Sequence, residues 1–151
     1  MNNEDYVSYE LALKLKECGF DEPCNYGYSV KMRLEPEVSF GEPKMVHSKD
    51  PKNYNDNRKG IEKGLSFCSA PHIYHAQKWL REAKGIAINV IAHDGDFYTW
   101  DAIFLSKAPQ DIVIESTFSE EFCLYAKKFY SYEEALSAGI SAALELIKKG
   151  E

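Results

Sequence analysis

No stretch of this sequence approaches the roughly 20 consecutive apolar residues that cross a bilayer. The opening MNNEDYVSYE has neither the basic start nor the apolar core of a secretory signal. The expectation is a cytoplasmic chain with no membrane partner. There is no C-x-x-C pair: Cys18, Cys24, Cys68 and Cys123 are scattered, so a zinc site of paired spacing is not expected and the thiols should be reduced, small apolar residues. A glycine-rich phosphate loop, a G-x-S-x-G elbow and an H-E-x-x-H helix are equally missing. No cofactor is therefore expected, and an enzyme is disfavoured. Basic charge is also in deficit, 18 lysines and arginines against 24 acids for a net charge of -6. That balance disfavours nucleic acid as the partner, because such affinity comes largely from neutralising phosphates, although it leaves room for a local basic patch.

What the chain does have is size and aromatic content. Its 151 residues, 44% of them hydrophobic and 13% aromatic with ten tyrosines, suffice for one ordinary core. The predicted fold is a single α+β domain over residues 1–151, with three helices packed on a mainly antiparallel sheet of three to five strands.

The pattern supports this element by element. Ser8 is an N-cap, followed by the apolar row Val7, Leu11, Leu15 and Cys18 at helical spacing, with Gly19 as the stop. Tyr28, Val30, Met32 and Leu34 alternate with Ser29, Lys31, Arg33 and Glu35, which predicts a strand over 26–34 with one wet face. Periodicity then fails over 35–67, where prolines, glycines, asparagines and lysines take over. A long polar loop or insertion is the expectation there, locally basic through Lys44, Lys49, Lys52, Arg58, Lys59 and Lys63.

Residues 69–105 carry the clearest commitment to structure. Ser69 is read as the N-cap of a second helix with Pro71 in its first turn. Ile73, Ala76, Leu80 and Ala83 form the buried row, flanked by Trp79, and Lys84-Gly85 closes the helix. A strand begins at Ile86, and Asp94-Gly95 marks a two-residue hairpin turn. That turn would pair Ala92 with Phe97, Val90 with Thr99 and Ile88 with Asp101, and on the other face Ile91 with Tyr98 and Asn89 with Trp100.

Beyond Pro109, 111–117 reads as a strand and 119–130 as a strand or extended segment, with a short helix as the alternative. Ser131-Tyr132-Glu133-Glu134 is a capping box. The helix it opens runs to about residue 148 with Leu136, Ile140, Leu144 and Ile147 buried, and Ala135, Ala138, Gly139, Ala142 and Ala143 keep one side thin. The hexapeptides SYELAL at Ser8 and SYEEAL at Ser131 match through convergent capping chemistry; the sequences between them do not repeat.

At CSAPHIYHAQKWLREAKGI and the terminal FYSYEEALSAGISAALELI the chain resembles a type of small protein, without an established activity, encoded by phages and mobile elements of anaerobic gut bacteria. The resemblance covers the first helix with GFDEP and the chain from Ser69 onward. It implies a fold and a genomic context, and carries over no functional residue.

Three functional readings follow from the residues. A non-catalytic accessory binding protein would contact another protein, or itself as a homo-oligomer, through the aromatic hairpin at Tyr98 and Trp100 and the basic loop from Lys44 to Lys63. The alternative, a metal-dependent hydrolase, would gather His72 and His75 with His93, Asp94, Asp96 and His47 around a divalent ion, without any ordered ligand signature. A further alternative is a single-stranded nucleic-acid binder stacking bases on the hairpin aromatics.

Overall fold

Ser8 opens the first helix as expected. Its Oγ accepts from the Leu11 amide at 3.2 Å, and α1 runs over Tyr9–Glu17. Val7, Leu11, Leu15 and Cys18 are all buried. The computed structural model describes residues 5–34, 37–56, 64–110 and 127–149; the strand expected at 111–117, most of the segment 119–130, Cys123, Arg58, Lys59 and Lys63 lie outside the described residues. The chain forms two compact units, Tyr6–Pro71 and, together with Met1–Asp5, His72–Glu151.

The first unit holds α1 and three strands, β1 (Cys24–Leu34), β2 (Glu37–Lys52) and β3 (Leu65–Ser69), in the antiparallel order β2-β1-β3. The strand expected around 26–34 is therefore present. The expected long loop is not: most of 35–67 is β2 and the start of β3. Sequence periodicity fails there because β2 is an edge strand whose ladder lapses twice, opposite Val30 and opposite Asn25. Pro43 and Pro51 fall in those lapses, at 41–43 and 48–51, where a missing amide removes no ladder bond. The Asn25 side chain braces the second lapse by donating to the Ser48 and Lys49 carbonyls at 3.0 and 3.1 Å.

One face of this sheet packs against α1 and its lead-in, through an edge contact between Tyr9 and Tyr28 and a hydrogen bond from the Tyr28 hydroxyl to the Val7 carbonyl at 2.7 Å. Ser69 is a correction to the predicted capping scheme. It ends β3, fully buried, opposite Gly27, and its Oγ accepts from the Tyr54 amide at 3.0 Å. The residue preceding a proline is biased toward extended backbone, so Ala70 before Pro71 prolongs β3's course and delays the helix.

The second unit begins with that helix, α2 (Ile73–Lys84), capped by His72, whose Nδ1 accepts from the Tyr74 amide at 3.3 Å. Its buried residues are Ile73, Ala76, Trp79 and Leu80, whereas the expected Ala83 is exposed. Trp79 offers the larger apolar area, and the buried stripe turns toward it. Gly85 ends α2 in the left-handed conformation, φ 73°, and a Cβ there would lie 2.7 Å from the Ala108 nitrogen.

Strands β4 (Ile86–His93) and β5 (Phe97–Phe104) form an antiparallel hairpin. Its turn is Asp94-Gly95-Asp96, one residue longer than expected, with Gly95 at φ 97° and Asp96 at φ 61°. An aspartate tolerates that region through its short polar side chain. The longer turn moves the register by one: His93 faces Phe97, Val90 faces Trp100 and Asn89 faces Asp101. Trp100 thus shares a face with Ile88 and Val90, opposite to the expected arrangement.

Helix α3 (Tyr132–Lys149) packs on that face. Ser131 caps it, its Oγ accepting from the Glu134 amide at 3.1 Å. The expected row Leu136, Ile140, Leu144 and Ile147 is buried. Gly139 sits so close to the hairpin that a Cβ would meet Ile88 at 2.6 Å and Trp100 at 3.1 Å. Among the described residues, then, the architecture is α+β as predicted, with three helices and antiparallel strands, but the five strands divide into sheets of three and two.

Candidate binding face on the three-stranded sheet

The sheet face turned away from Tyr28 and Val30 is defined by register. Along β1 it carries Gly27, Ser29, Lys31 and Arg33; their partners on β2 are Val46, Lys44, Phe40 and Val38, and on β3 Ser69, Phe67 and Leu65. At one end it is closed. Tyr54 lies over Gly27, where a Cβ would meet its ring at 2.7 Å, and beside it a cleft of about 110 Å³ is lined by Lys52, Asn53, Tyr54, Asp56 and Phe67.

The other end is open. Phe40 and Val38 are 49% and 52% exposed, and Lys31, Arg33 and Lys44 are exposed around them. None of the register positions on this face is an aspartate or glutamate. Glu42 and Asp50 occupy the two lapses in β2 instead. A locally cationic, aromatic surface therefore exists in a chain of net charge -6, and it can hold an anionic partner by Coulomb attraction and ring contact. The neighbouring edge is poorly suited to strand addition, because Pro43, Pro51 and the two lapses break its row of donors and acceptors.

No protein-family model, curated protein or solved structure matches the chain.

The residues singled out from sequence are dispersed. Lys44 is on the open face; Lys49 lies in the second lapse of β2, and Lys52 sits over the Tyr54 ring at 4.8 Å. Tyr98 and Trp100 belong to the other unit and turn toward α3: Tyr98 meets the Tyr132 ring edge-on at 6.1 Å, and Trp100 adjoins Gly139. Tyr98 also exchanges backbone hydrogen bonds with Phe129 at 2.7 and 2.9 Å. The outward face of that hairpin instead exposes Ile91 and Ile103.

The six metal-ligand candidates have separate local roles. His72 caps α2 and stacks on Tyr74 at 5.1 Å. His75 is one turn further along the same helix. His93 bonds Thr99 at 2.7 Å and stacks on Phe97 at 4.7 Å. Asp94 and Asp96 form the hairpin turn, and His47 packs on Tyr26 at 4.7 Å in the first unit. Among the described residues no group of three histidines, cysteines, aspartates or glutamates is placed to hold a metal ion.

Nucleophilic chemistry finds little support in the buried thiols. Burial, assisted by the nearby Glu22 charge, pushes the Cys24 thiol up to about 12, and burial pushes Cys68 up to about 11. Neither carries appreciable thiolate at neutral pH. The Cys24 thiol donates to the Glu22 carbonyl at 3.5 Å, and Ser69, which follows Cys68, serves structure: it donates its amide to Asn55 Oδ1 at 2.9 Å, and Asn55 Nδ2 donates to the Phe20 carbonyl at 2.7 Å. This network ties the 53–56 turn to β3 and to the segment after α1, and so holds the closed end of the face. No helix among the described residues is long and apolar enough to cross a membrane.

Sequence reasoning missed Val38, Phe40, Leu65 and Phe67 as face residues. A signal existed for Lys31 and Arg33, since β1's alternation puts them on its wet side. For β2 it was masked by Gly41 and Pro43, which interrupt the V-S-F alternation just where the strand bends.

Proposed function

We propose that the protein is a non-catalytic binding module whose contact surface for an anionic partner is the open end of the three-stranded sheet. The observation that carries this reading is the grouping of Lys31, Arg33 and Lys44 around exposed Phe40 and Val38 with no carboxylate at a register position of that face. The likeness at KWLREAKGI and the closing YEEA helix supports reading the module as an accessory protein of a phage or mobile element.

The test uses heparin as a general polyanion. The full chain should be retained on heparin at low ionic strength, and the triple variant Lys31→Glu, Arg33→Glu, Lys44→Glu should lose that retention. A triple variant of equal charge change on exposed positions of the other unit, Lys78→Glu, Arg81→Glu and Lys127→Glu, should keep it. No retention of the wild-type chain, or equal loss in both variants, overturns the reading.

A further inference from the structure

Resting on that reading, we infer that the anionic partner is a single-stranded nucleic acid, held with bases against Phe40 and Phe67 and phosphates against Lys31, Arg33 and Lys44. Phe40, Lys31 and Leu65 form one cross-strand row, and Lys44, Ser29 and Phe67 form the next. With about 4.8 Å between strands and about 3.3 Å per residue along them, the two phenylalanine Cα positions are roughly 12 Å apart on a diagonal across β1. That diagonal crosses β1 between Lys31 and Ser29, so Lys31 flanks it on β1, Lys44 sits beside it on β2, and Arg33 lies one row beyond.

A surface alternating aromatic rings with cations, with no carboxylate at a register position of the face, matches what an unpaired strand presents: flat apolar bases on a chain of regularly spaced charge. Every base has a π-face, so such a platform needs no sequence-specific hydrogen bonds, and open sheets with stacked aromatics recognise single strands in this way. A duplex hides its bases and would use the cations alone. An acidic peptide would use the cations and Val38 but has no need of two separated rings, and the interrupted β2 edge denies it the backbone pairing that extended peptides exploit. The closed end adds a further element. The cleft of about 110 Å³ between Lys52, Asn53, Tyr54, Asp56 and Phe67 adjoins the Phe67 end of the path, with an amide, a carboxylate and an ammonium available to the edge of a base at the end of the bound segment.

The experiment is fluorescence anisotropy of a labelled thymidine oligonucleotide titrated with the full chain at several salt concentrations. The same titration is run with a duplex of equal length and with polyglutamate. Three phosphate contacts predict a slope of log affinity against log salt of about -2 for the single strand, and Lys31→Ala should flatten it by about 0.7. Phe40→Ala should weaken single-strand binding roughly five- to a hundredfold while leaving heparin retention in place. Tyr130→Ala, which removes an aromatic 75% exposed in the other unit, should change neither. Phe40 is itself half exposed, so its removal is compatible with folding, and an unchanged circular dichroism spectrum checks this.

The outcomes separate the two levels. Preference for the single strand with sensitivity to Phe40 supports the inference. Heparin and polyglutamate binding with no such preference, or with Phe40→Ala without effect, overturns the inference while the polyanion module stands. Binding to none of the polyanions overturns both.

Discussion

Replacing Gly139 by alanine sets helix propensity against packing, and the structure decides the sign. In an exposed helix this change should stabilise by about 1 kcal/mol, since glycine loses more backbone freedom than alanine. At Gly139 the new Cβ would lie 2.6 Å from Ile88 Cγ2 and 3.1 and 3.2 Å from Trp100 Cδ2 and Cε3. Ile88 is 2% exposed, so its methyl has nowhere to go. The indole is a rigid bicycle pressed against the same point. Overpacking of a well-filled core costs about 1–3 kcal/mol, which exceeds the propensity gain. The net expectation is a loss of about 1 kcal/mol, lowering the melting temperature by about 2–4 °C for a chain of this size. Gly139→Val, with more bulk and a branched Cβ, should lose more. The assay is urea unfolding followed by far-ultraviolet circular dichroism, comparing midpoints at constant slope. If Gly139→Ala is more stable than the wild type, propensity has won, and the placement of Trp100 beneath α3 is refuted. With it would fall the one-residue register shift that puts Trp100 on the same face as Ile88.

Ser69→Ala removes the acceptor of the Tyr54 amide in a fully buried position. A stranded buried donor costs about 1–3 kcal/mol, and the expected drop in denaturation midpoint should shrink sharply when Asn55→Ala is already present, because both residues hold one network; full additivity would contradict that coupling. The thiols give a pH dependence with a definite sign. Cys24 and Cys68 keep their protons in the folded chain up to about 12 and about 11, against an ordinary value of 9.0. The unfolded chain therefore sheds protons first, so their contribution is complete below pH 9 and is lost as pH rises toward the folded values. Urea midpoints should fall from about pH 9 upward, less steeply in Cys24→Ala and Cys68→Ala; a midpoint constant through pH 10 would show the thiols to be solvated. At neutral pH the same burial should make both thiols slow toward a disulfide reagent in a Cys123→Ser background.

Much of the local structure is legible in the residues. Ser8 and Ser131 cap their helices as their positions in SYELAL and SYEEAL suggest, and the two copies serve different compact units. Gly85 terminates α2, and the apolar rows of α1 and α3 are buried as spaced. These features depend on neighbours within about one turn, so a short window contains the cause and the effect together.

Four features had to wait for tertiary structure. Ser69 looks like a cap in its own window and becomes a strand end because β1 supplies Gly27 as a partner and the 53–56 turn supplies a donor. The Asp94-Gly95 signal identifies a hairpin, but whether Asp96 joins the turn depends on which face of β5 the helix α3 must cover, and that single residue decides where Trp100 points. Residues 37–52 have the composition of a loop and form the longest described strand, because an edge position tolerates prolines and lapses that would break a central strand. The candidate binding face is the clearest case. Lys31, Arg33, Phe40, Lys44 and Phe67 come from three separate stretches, and only the β2-β1-β3 order brings them together. The caps, the stops, the amphipathic rows and the acidic total follow from the residues alone, since each is a local or additive property. Strand pairing decided which charges and rings share a surface, because register is a relation between distant segments that no single segment contains.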